Sequence, residues 1–445
     1  MLALWIVLAV LLVIIYIIMT SIMVIFERDK PRNIIIWSSV FLITQFIGYI
    51  IYFCSRMSVY NKKKALNKKI REDEIYFNLI SNNLNLNPIE TSETLYKFNN
   101  RAFNTCLNSN SKFEMFEGLD NYIKSLINDI SVAKTSVLIE LSQVNLEDFI
   151  DLKNAIINKA KEYVLVKFVY DLHISRKTKK ELKLAGVKIY KFNKHNPLGR
   201  LYSNLRNMIS IDGEIIYSGS LDFTSKQKKS KFEKSYSYLR FEGDVVQSMN
   251  VSLYQDVVFA GGKYIEYPEV EKSKFNETKI QFASNEINSD IELLIINAIC
   301  LAKKSIQLQL EQFVPTKSMT SLLRYAINSN IEVRLMIPMK SNRYTKYFAS
   351  RAYTKELALF GASVYLYDGY IRFNAITIDD NHVLTGSYII DREHINSTLQ
   401  NVVIIEDKSA VDYYNNIFNK CIDNSYKVNN AKYLLLREKI FKSLV

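Results

Sequence analysis

The sequence predicts an α/β protein made of two homologous sandwich repeats about a pseudo-two-fold axis, preceded by an N-terminal transmembrane helical hairpin. Three observations predict it. Long uncharged apolar runs are confined to the first 54 of 445 residues. Beyond about residue 100, stretches with helical spacing alternate with β-branched, strand-like runs. The two halves of that region also match in register at a constant offset of 167 residues.

Leu2–Phe26 is 25 consecutive uncharged residues, long enough to span a bilayer core with some tilt. It has no basic leading segment and no small-residue cleavage site, which separates it from a signal peptide. A charged stretch, Glu27–Asn33, precedes a second apolar run, Ile34–Cys54. The polar Ser38, Ser39, Thr44 and Gln45 within it are tolerated in a helix paired to a neighbour. Two transmembrane helices, about 2–26 and 34–54, are expected within a segment 1–56. Three basic residues lie in the loop (Arg28, Lys30, Arg32) and seven lie from Arg56 to Arg71. That bias places the C-terminal part on the cytoplasmic side of a cell membrane, where the larger cluster also suits anionic headgroups.

Residues 57–100 read as a basic, polar linker, followed by repeats over 101–263 and 264–445. Asn207, Asp212, Gly219 and Ser220 match Asn374, Asp379, Gly386 and Ser387, each pair 167 residues apart. Upstream, Ala133-Lys134 corresponds to Ala302-Lys303, Lys161–Asp171 to Asn328–Pro338, and Lys180–Tyr190 to Lys355–Tyr365. Gly186 and Gly361 each end a helix and admit the next strand. Each unit reads as alternating helices and strands closed by a hairpin, a pattern that predicts a helix-covered sheet, built twice. The Asp212 and Asp379 hairpins are expected to face each other across one cleft.

Lys and Arg exceed Asp and Glu by 58 to 45, a net charge of +13. Such a balance fits a solvated lysine-rich surface, an anionic membrane or nucleic acid. The membrane segment favours lipid, and no basic-aromatic interleaving supports nucleic acid. Four scattered cysteines, with no CxxC pair and no ligand-like spacing to histidine, argue against a disulfide framework or zinc site. Neither a metal nor another cofactor is expected.

At the two hairpins the sequence resembles the phospholipase D superfamily, and bacterial cardiolipin synthases in particular. That family carries His-x-Lys-x4-Asp in each repeat, followed by Gly-Gly or Gly-Ser/Thr. The resemblance covers nearly the whole chain, including Glu27–Pro31, Ser235–Gly243, Ile337–Ser341, Tyr344–Arg351 and Gly386–Arg392. It implies a phospholipase D-like fold and a two-step phosphatidyl exchange. One histidine would attack the lipid phosphorus and form a phosphohistidine while the other protonates the leaving alcohol, and a second phosphatidylglycerol would then receive the phosphatidyl group. Two lysines would neutralise phosphate oxygens, and each Asp would orient a histidine.

This sequence departs from that pattern at both motifs. Counting back from Asp212 gives Leu205 and Asn207 at the histidine and lysine positions, and counting back from Asp379 gives Arg372 and Asn374. The family's later Asn is replaced by Asp222 and Ile389. Leucine has no lone pair, and arginine stays protonated. Losing a nucleophile together with its partner base costs on the order of a million-fold in rate. No catalytic set is intact among Leu205, Asn207, Asp212, Arg372, Asn374 and Asp379. Ser220, Arg372 and Ser387 remain candidates for holding a phosphate. His195 and His394 are the histidines considered as substitutes in the cleft, while His382 is expected at the solvent end of the second hairpin. The expected function is a membrane-anchored, catalytically inactive protein of anionic phospholipid metabolism that binds lipid or partners an active cardiolipin synthase paralogue. The alternatives are a divergent active cardiolipin synthase and a nucleic-acid binder.

Overall fold

The computed structural model describes residues 2–27, 31–56, 94–103, 105–192, 203–219, 234–263, 278–285, 291–339, 344–392, 398–428 and 435–444. Seven strands form the first sheet: β1 (Ser111–Met115), β2 (Ser136–Gln143), β3 (Leu165–His173), β4 (Lys188–Lys191), β5 (Met208–Ile211), β6 (Ile215–Gly219) and β7 (Tyr238–Gly243). Their spatial order is β1-β7-β6-β5-β2-β3-β4. The second sheet contains β8 (Lys279–Ser284), β9 (Ser305–Gln309), β10 (Glu332–Pro338), β11 (Ser363–Tyr367), β12 (Asn374–Ile378), β13 (His382–Gly386) and β14 (Asn401–Glu406). Its order, β8-β14-β13-β12-β9-β10-β11, repeats that of the first, with Leu107–Asn108 added outside β8 and Ser425–Lys427 outside β11. Within each set of seven, the steps β2-β3-β4 and β9-β10-β11 are parallel and the others antiparallel.

Thirteen helices accompany these strands among the described residues. The N-terminal ones are α1 (Leu2–Phe26), α2 (Pro31–Thr44), α3 (Phe46–Arg56) and α4 (Thr94–Phe103). Those of the body are α5 (Leu119–Val132), α6 (Ile150–Lys161), α7 (Arg176–Leu184), α8 (Asp244–Phe259), α9 (Ile291–Ile299), α10 (Lys317–Asn328), α11 (Tyr344–Phe360), α12 (Lys408–Ile422) and α13 (Leu436–Leu444). Apolar faces dictate the layering. Leu126, Leu152, Ile156 and Leu182 of α5–α7 cover the outer face of the first sheet. Leu95, Leu294, Leu323 and Leu357 of α4 and α9–α11 cover the outer face of the second. Between the sheets, α8 and α12 share one core: Met249 and Leu253 pack with Leu138 and Phe241 of the first sheet and with Tyr414, Phe418 and Val403 of the second unit. The helices between the sheets therefore join the two units into one body.

Two expectations are corrected here. The first concerns the linker. Residues 57–93 lie outside the described residues, but α4 is not loosely attached. Its Tyr96 hydroxyl donates to Glu406 (2.8 Å) and its Asn99 amide to Gln281 (2.9 Å), so α4 and then Leu107–Asn108 belong to the second unit before the chain enters the first. The second concerns the apolar run Ile34–Cys54, which is not one helix. Gln45 takes a left-handed φ of 47° and α3 folds back on α2. The rings of Phe41 and Tyr49 lie 3.8 Å apart, and those of Phe41 and Tyr52 lie 5.9 Å apart. In a continuous helix residues 41 and 52 would be separated by about 16 Å along the axis. Among the described residues α1 alone is long and apolar enough to cross a bilayer, by length and composition.

The glycine ending each hairpin is fixed by close backbone approach. A Cβ on Gly219 (φ 104°) would lie 2.6 Å from the Ser237 carbonyl oxygen, and one on Gly386 (φ 143°) would lie 2.6 Å from that of Asn401. Gly219→Ala and Gly386→Ala are each expected to destabilise the protein by about 2 kcal/mol or more. Thermal melts in detergent check this, and an unchanged Tm would mean that the paired strands move apart freely.

Candidate functional site

The motif strands begin where the two units are stitched together. Ser203–Asn204 pairs in parallel with Thr398–Leu399 of the second unit, and Tyr370–Ile371 pairs in parallel with Lys234–Ser235 of the first. Immediately after these pairs, the backbone N–H of Leu205 donates to the Leu399 carbonyl and that of Arg372 to the Ser235 carbonyl, both at 2.9 Å. Leu205 and Arg372 therefore sit at the junction, each held by the opposite unit.

Two residues further on, the asparagines hold backbone. Asn207, at φ 41°, accepts the Ser142 N–H on its side-chain oxygen at 2.8 Å, tying β5 to the end of β2. Asn374 accepts the Glu311 N–H at 3.0 Å and donates its amide to the Tyr388 carbonyl at 2.6 Å. Neither side chain carries a charge for phosphate. Arg372 is half-buried, with one guanidinium nitrogen 3.2 Å from Glu311, and it lies over the Tyr370 ring at 5.5 Å. Its Nε is buried without a hydrogen-bond partner.

The aspartates do not face each other across the cleft; each lies at the outer turn of its own hairpin. Lys134, Thr135 and Ser136 direct their backbone N–H groups at the Asp212 carboxylate (2.8–2.9 Å). Lys303, Lys304 and Ser305 do the same for Asp379 (2.8–3.2 Å). Both residues take left-handed φ, 52° and 49°. Burial opposes ionisation of each carboxyl, but the three amides outweigh it and hold both below the usual range.

Ser387 is likewise already engaged. Its hydroxyl lies 3.0 Å from the Arg206 carbonyl and 2.7 Å from the Asn401 side-chain oxygen, two acceptors for its single proton. It bridges the units rather than offering a donor to an anion. Ser220, Asp222, His195 and His394 lie outside the described residues. Of the described histidines, His173 is exposed at the end of β3, and His382 stands by the outer turn near Tyr96.

Comparison with known proteins shows what this architecture is similar to. The family described as cardiolipin synthase, PLD-like domain, matches residues 295–422, which run from α9 to α12. Cardiolipin synthase 1 of Bacillus cereus is 22% identical, over 96% of this chain and 90% of its own length. The major cardiolipin synthase ClsA of Bacillus subtilis is 28% identical over 84% of each chain. The chain is similar to bacterial cardiolipin synthases and carries a stretch that matches their PLD-like domain. The crystal structure of a phosphatidylserine synthase from Haemophilus influenzae shares its fold, with a TM-score of 0.58 at 11% identity, over 79% of this chain and 97% of that one.

The structure also brings together a cluster that the sequence reading missed. Arg206, between the two motif positions, is buried and pairs with Asp256 of α8 at 2.7 Å. Its other guanidinium nitrogen donates to the Asn285 carbonyl at 2.5 Å, and its own carbonyl accepts from Asn401 at 2.9 Å. Asn204 bonds Glu140 and Asp256 through its amide, and its backbone N–H donates to Asp171 at 3.0 Å. One sequence signal existed: Glu140 interrupts the apolar run of β2, and Asp256 lies on the buried side of α8. Burial, and then the neighbouring Asp256 carboxylate, push the Glu140 carboxyl well above its ordinary range, with Arg206 and Asn204 opposing.

Two predictions follow from these carboxyls. Asp212→Asn and Asp379→Asn should each lower stability at neutral pH by about 1.5–3 kcal/mol, the scale of hydrogen bonds to a charged acceptor, reduced by partial exposure. Because both folded pKa values are depressed, the difference from wild type should shrink as pH falls through and below about 3.8. Melting curves at pH 7 and pH 3 measure it. Glu140 has the opposite sign. Its protonated form is favoured in the fold, so its contribution is complete below about 4.5 and is lost as pH rises toward the folded value. Glu140→Gln should gain Tm relative to wild type between pH 5 and 8, and a parallel pair of pH profiles would remove this assignment.

Proposed function

We propose that this protein is a membrane-anchored, catalytically silent member of the cardiolipin synthase family that binds anionic phospholipid at the junction of its two units. The observation that carries the reading is the chemistry at the four motif positions. Leu205 has no lone pair, Arg372 is a permanent cation, and Asn207 and Asn374 are occupied by backbone amides. Phosphatidyl transfer needs a nucleophile and a proton donor on opposite sides of phosphorus, and these side chains supply neither. Arg372 supports the lipid-binding part, because a phosphate displacing Glu311 would find a partly exposed guanidinium. The equal strand orders and equivalent aspartate turns support a duplicated unit with pseudo-two-fold symmetry. The basic residues beyond α1 support a cytoplasmic body. Association with an active cardiolipin synthase is the second route by which such a protein would act on lipid synthesis.

Purified protein incubated with phosphatidylglycerol in detergent micelles should release no glycerol and form no cardiolipin above a protein-free control. Cardiolipin formation that disappears on His195→Ala or His394→Ala would overturn the silent reading and establish a divergent synthase. Binding is measured separately. Arg372→Ala should weaken affinity for phosphatidylglycerol in mixed micelles about 10-fold, the scale of one charge-assisted contact, without changing affinity for phosphatidylcholine.

A further inference from the structure

We propose that α2 and α3 form a re-entrant wedge, entering the bilayer from the same side as the α/β body and turning back at Gln45, so that the chain crosses the membrane once through α1. The inference rests on the reading that α1 spans the bilayer.

The polar ends of all three helices meet at one level. Glu27, at the end of α1, is buried and accepts from the Asn33 amide (3.0 Å) and the Tyr52 hydroxyl (3.3 Å), and it pairs with Arg56. Arg56 also donates to the Phe26 carbonyl at 3.2 Å. A two-span hairpin would put Arg56 on the face opposite Glu27 and Asn33, about 30 Å away across the hydrocarbon. From this polar base the three helices run together. Tyr52 packs on Trp37, Phe41 on Tyr49, and the Tyr49 hydroxyl meets Thr20 and the Tyr16 carbonyl. The wedge therefore covers one stripe of α1 from Glu27 up to Tyr16. The first half of α1 extends beyond it, with Trp5, Val7 and Val13 about 60% exposed.

Length and surface agree with this depth. At 1.5 Å per residue, α1 reaches about 38 Å, whereas α2 and α3 reach about 21 Å and 16 Å, roughly half a bilayer core. The wedge's tip is its most apolar exposed part: Leu42 is 75% exposed, Ile43 82% and Ile47 64%, beside Gln45 and Phe46. Nothing among the described residues of the body covers these side chains, and the hydrocarbon of the leaflet next to the body is the occupant that fits them. A turn at that depth needs its backbone satisfied internally. Here the Gln45 N–H donates to the Phe41 carbonyl (2.8 Å), the Gly48 N–H to the Gln45 carbonyl (3.2 Å) and the Thr44 hydroxyl to the Val40 carbonyl (2.7 Å).

Charge gives the same topology. A two-span chain divides the basic residues after α1 three against seven, whereas a re-entrant α2–α3 puts all ten on the side of the body. The body also touches the wedge, because α13 packs beside α2 while presenting Leu436 and Ile440 outward.

Single cysteines at Leu2, Asn33 or Ser443, with the four native cysteines replaced by serine, would be labelled in sealed vesicles with a membrane-impermeant maleimide. The expected result is that Asn33→Cys and Ser443→Cys react from the same side and Leu2→Cys from the other. Leu2→Cys reacting with Ser443→Cys, and Asn33→Cys from the opposite side, would establish two spans and overturn the wedge. All three reacting from one side would show that α1 does not cross, removing the reading on which the wedge depends. Should the serine background fail to fold, short epitope tags at the N-terminus, after residue 29 and at the C-terminus of the native-cysteine chain give the same three-way readout.

Discussion

The relation between the two units turns on one buried cation. Arg206 lies in the first unit, takes its counter-ion from Asp256 and the acceptor for its backbone N–H from Asn204 in the same unit, and is also held by the second: its guanidinium by the Asn285 carbonyl and its own carbonyl by Ser387 and Asn401. Burying a guanidinium is costly, and leaving it without its carboxylate costs about 3–5 kcal/mol more. The arrangement therefore tolerates little sliding of one sheet against the other. Because Arg206 sits between Leu205 and Asn207, the same constraint sets the position of the first motif. The short parallel strands on either side fix the second by the same logic, through backbone bonds between units.

At the junction and at the outer turns of the hairpins, polar side chains hold structure. Asn207 and Asn374 close the ends of strands, Asp212 and Asp379 gather three amides each, and Ser387 spans the units. The two sides are not electrostatically equal. Glu140 in β2 has Gln309 at the same register position in β9, so the first unit carries a buried acidic cluster where the second has a neutral amide. Arg206 accounts for the difference, because its counterpart across the 167-residue offset is Phe373, which needs no counter-ion.

Much of this was legible from residue order alone. The residues paired by the offset occupy equivalent hairpin positions: Asp212 and Asp379 bond the same three-residue stretch at the start of β2 and β9, and Gly219 and Gly386 meet a neighbouring carbonyl at the same distance. What failed has physical causes. Hydropathy reports which solvent a segment prefers but not where it bends, and a left-handed Gln45 leaves no signature in an apolar run. Thr44-Gln45 was the available sign of a break, and a helix tolerating polar residues explained it equally well. The attachment of α4 to the second unit was invisible because a polar helix with Tyr96 and Asn99 on one face looks like a linker until Glu406 and Gln281 are beside it. Ser387 looked like an anion donor because sequence shows a hydroxyl but not the two acceptors already facing it.

These contacts explain why the fold outlasts its motifs. In the family pattern each motif mixes residues of two kinds, and only one kind is missing here. Asp212, Asp379, Gly219, Gly386 and Ser387 carry hydrogen bonds or close approaches that keep strands in register, so their loss would be felt in stability whatever the chemistry. The histidine positions are held differently. Leu205 and Arg372 are held by their backbone N–H groups, which any residue but proline supplies. Asn at the lysine positions adds bonds, to Ser142 and to Glu311, that a charged ammonium without acceptor atoms would not make. At those positions the side chains present here tighten the strand ends, so the residues that depart from the family pattern still serve the packing of the junction.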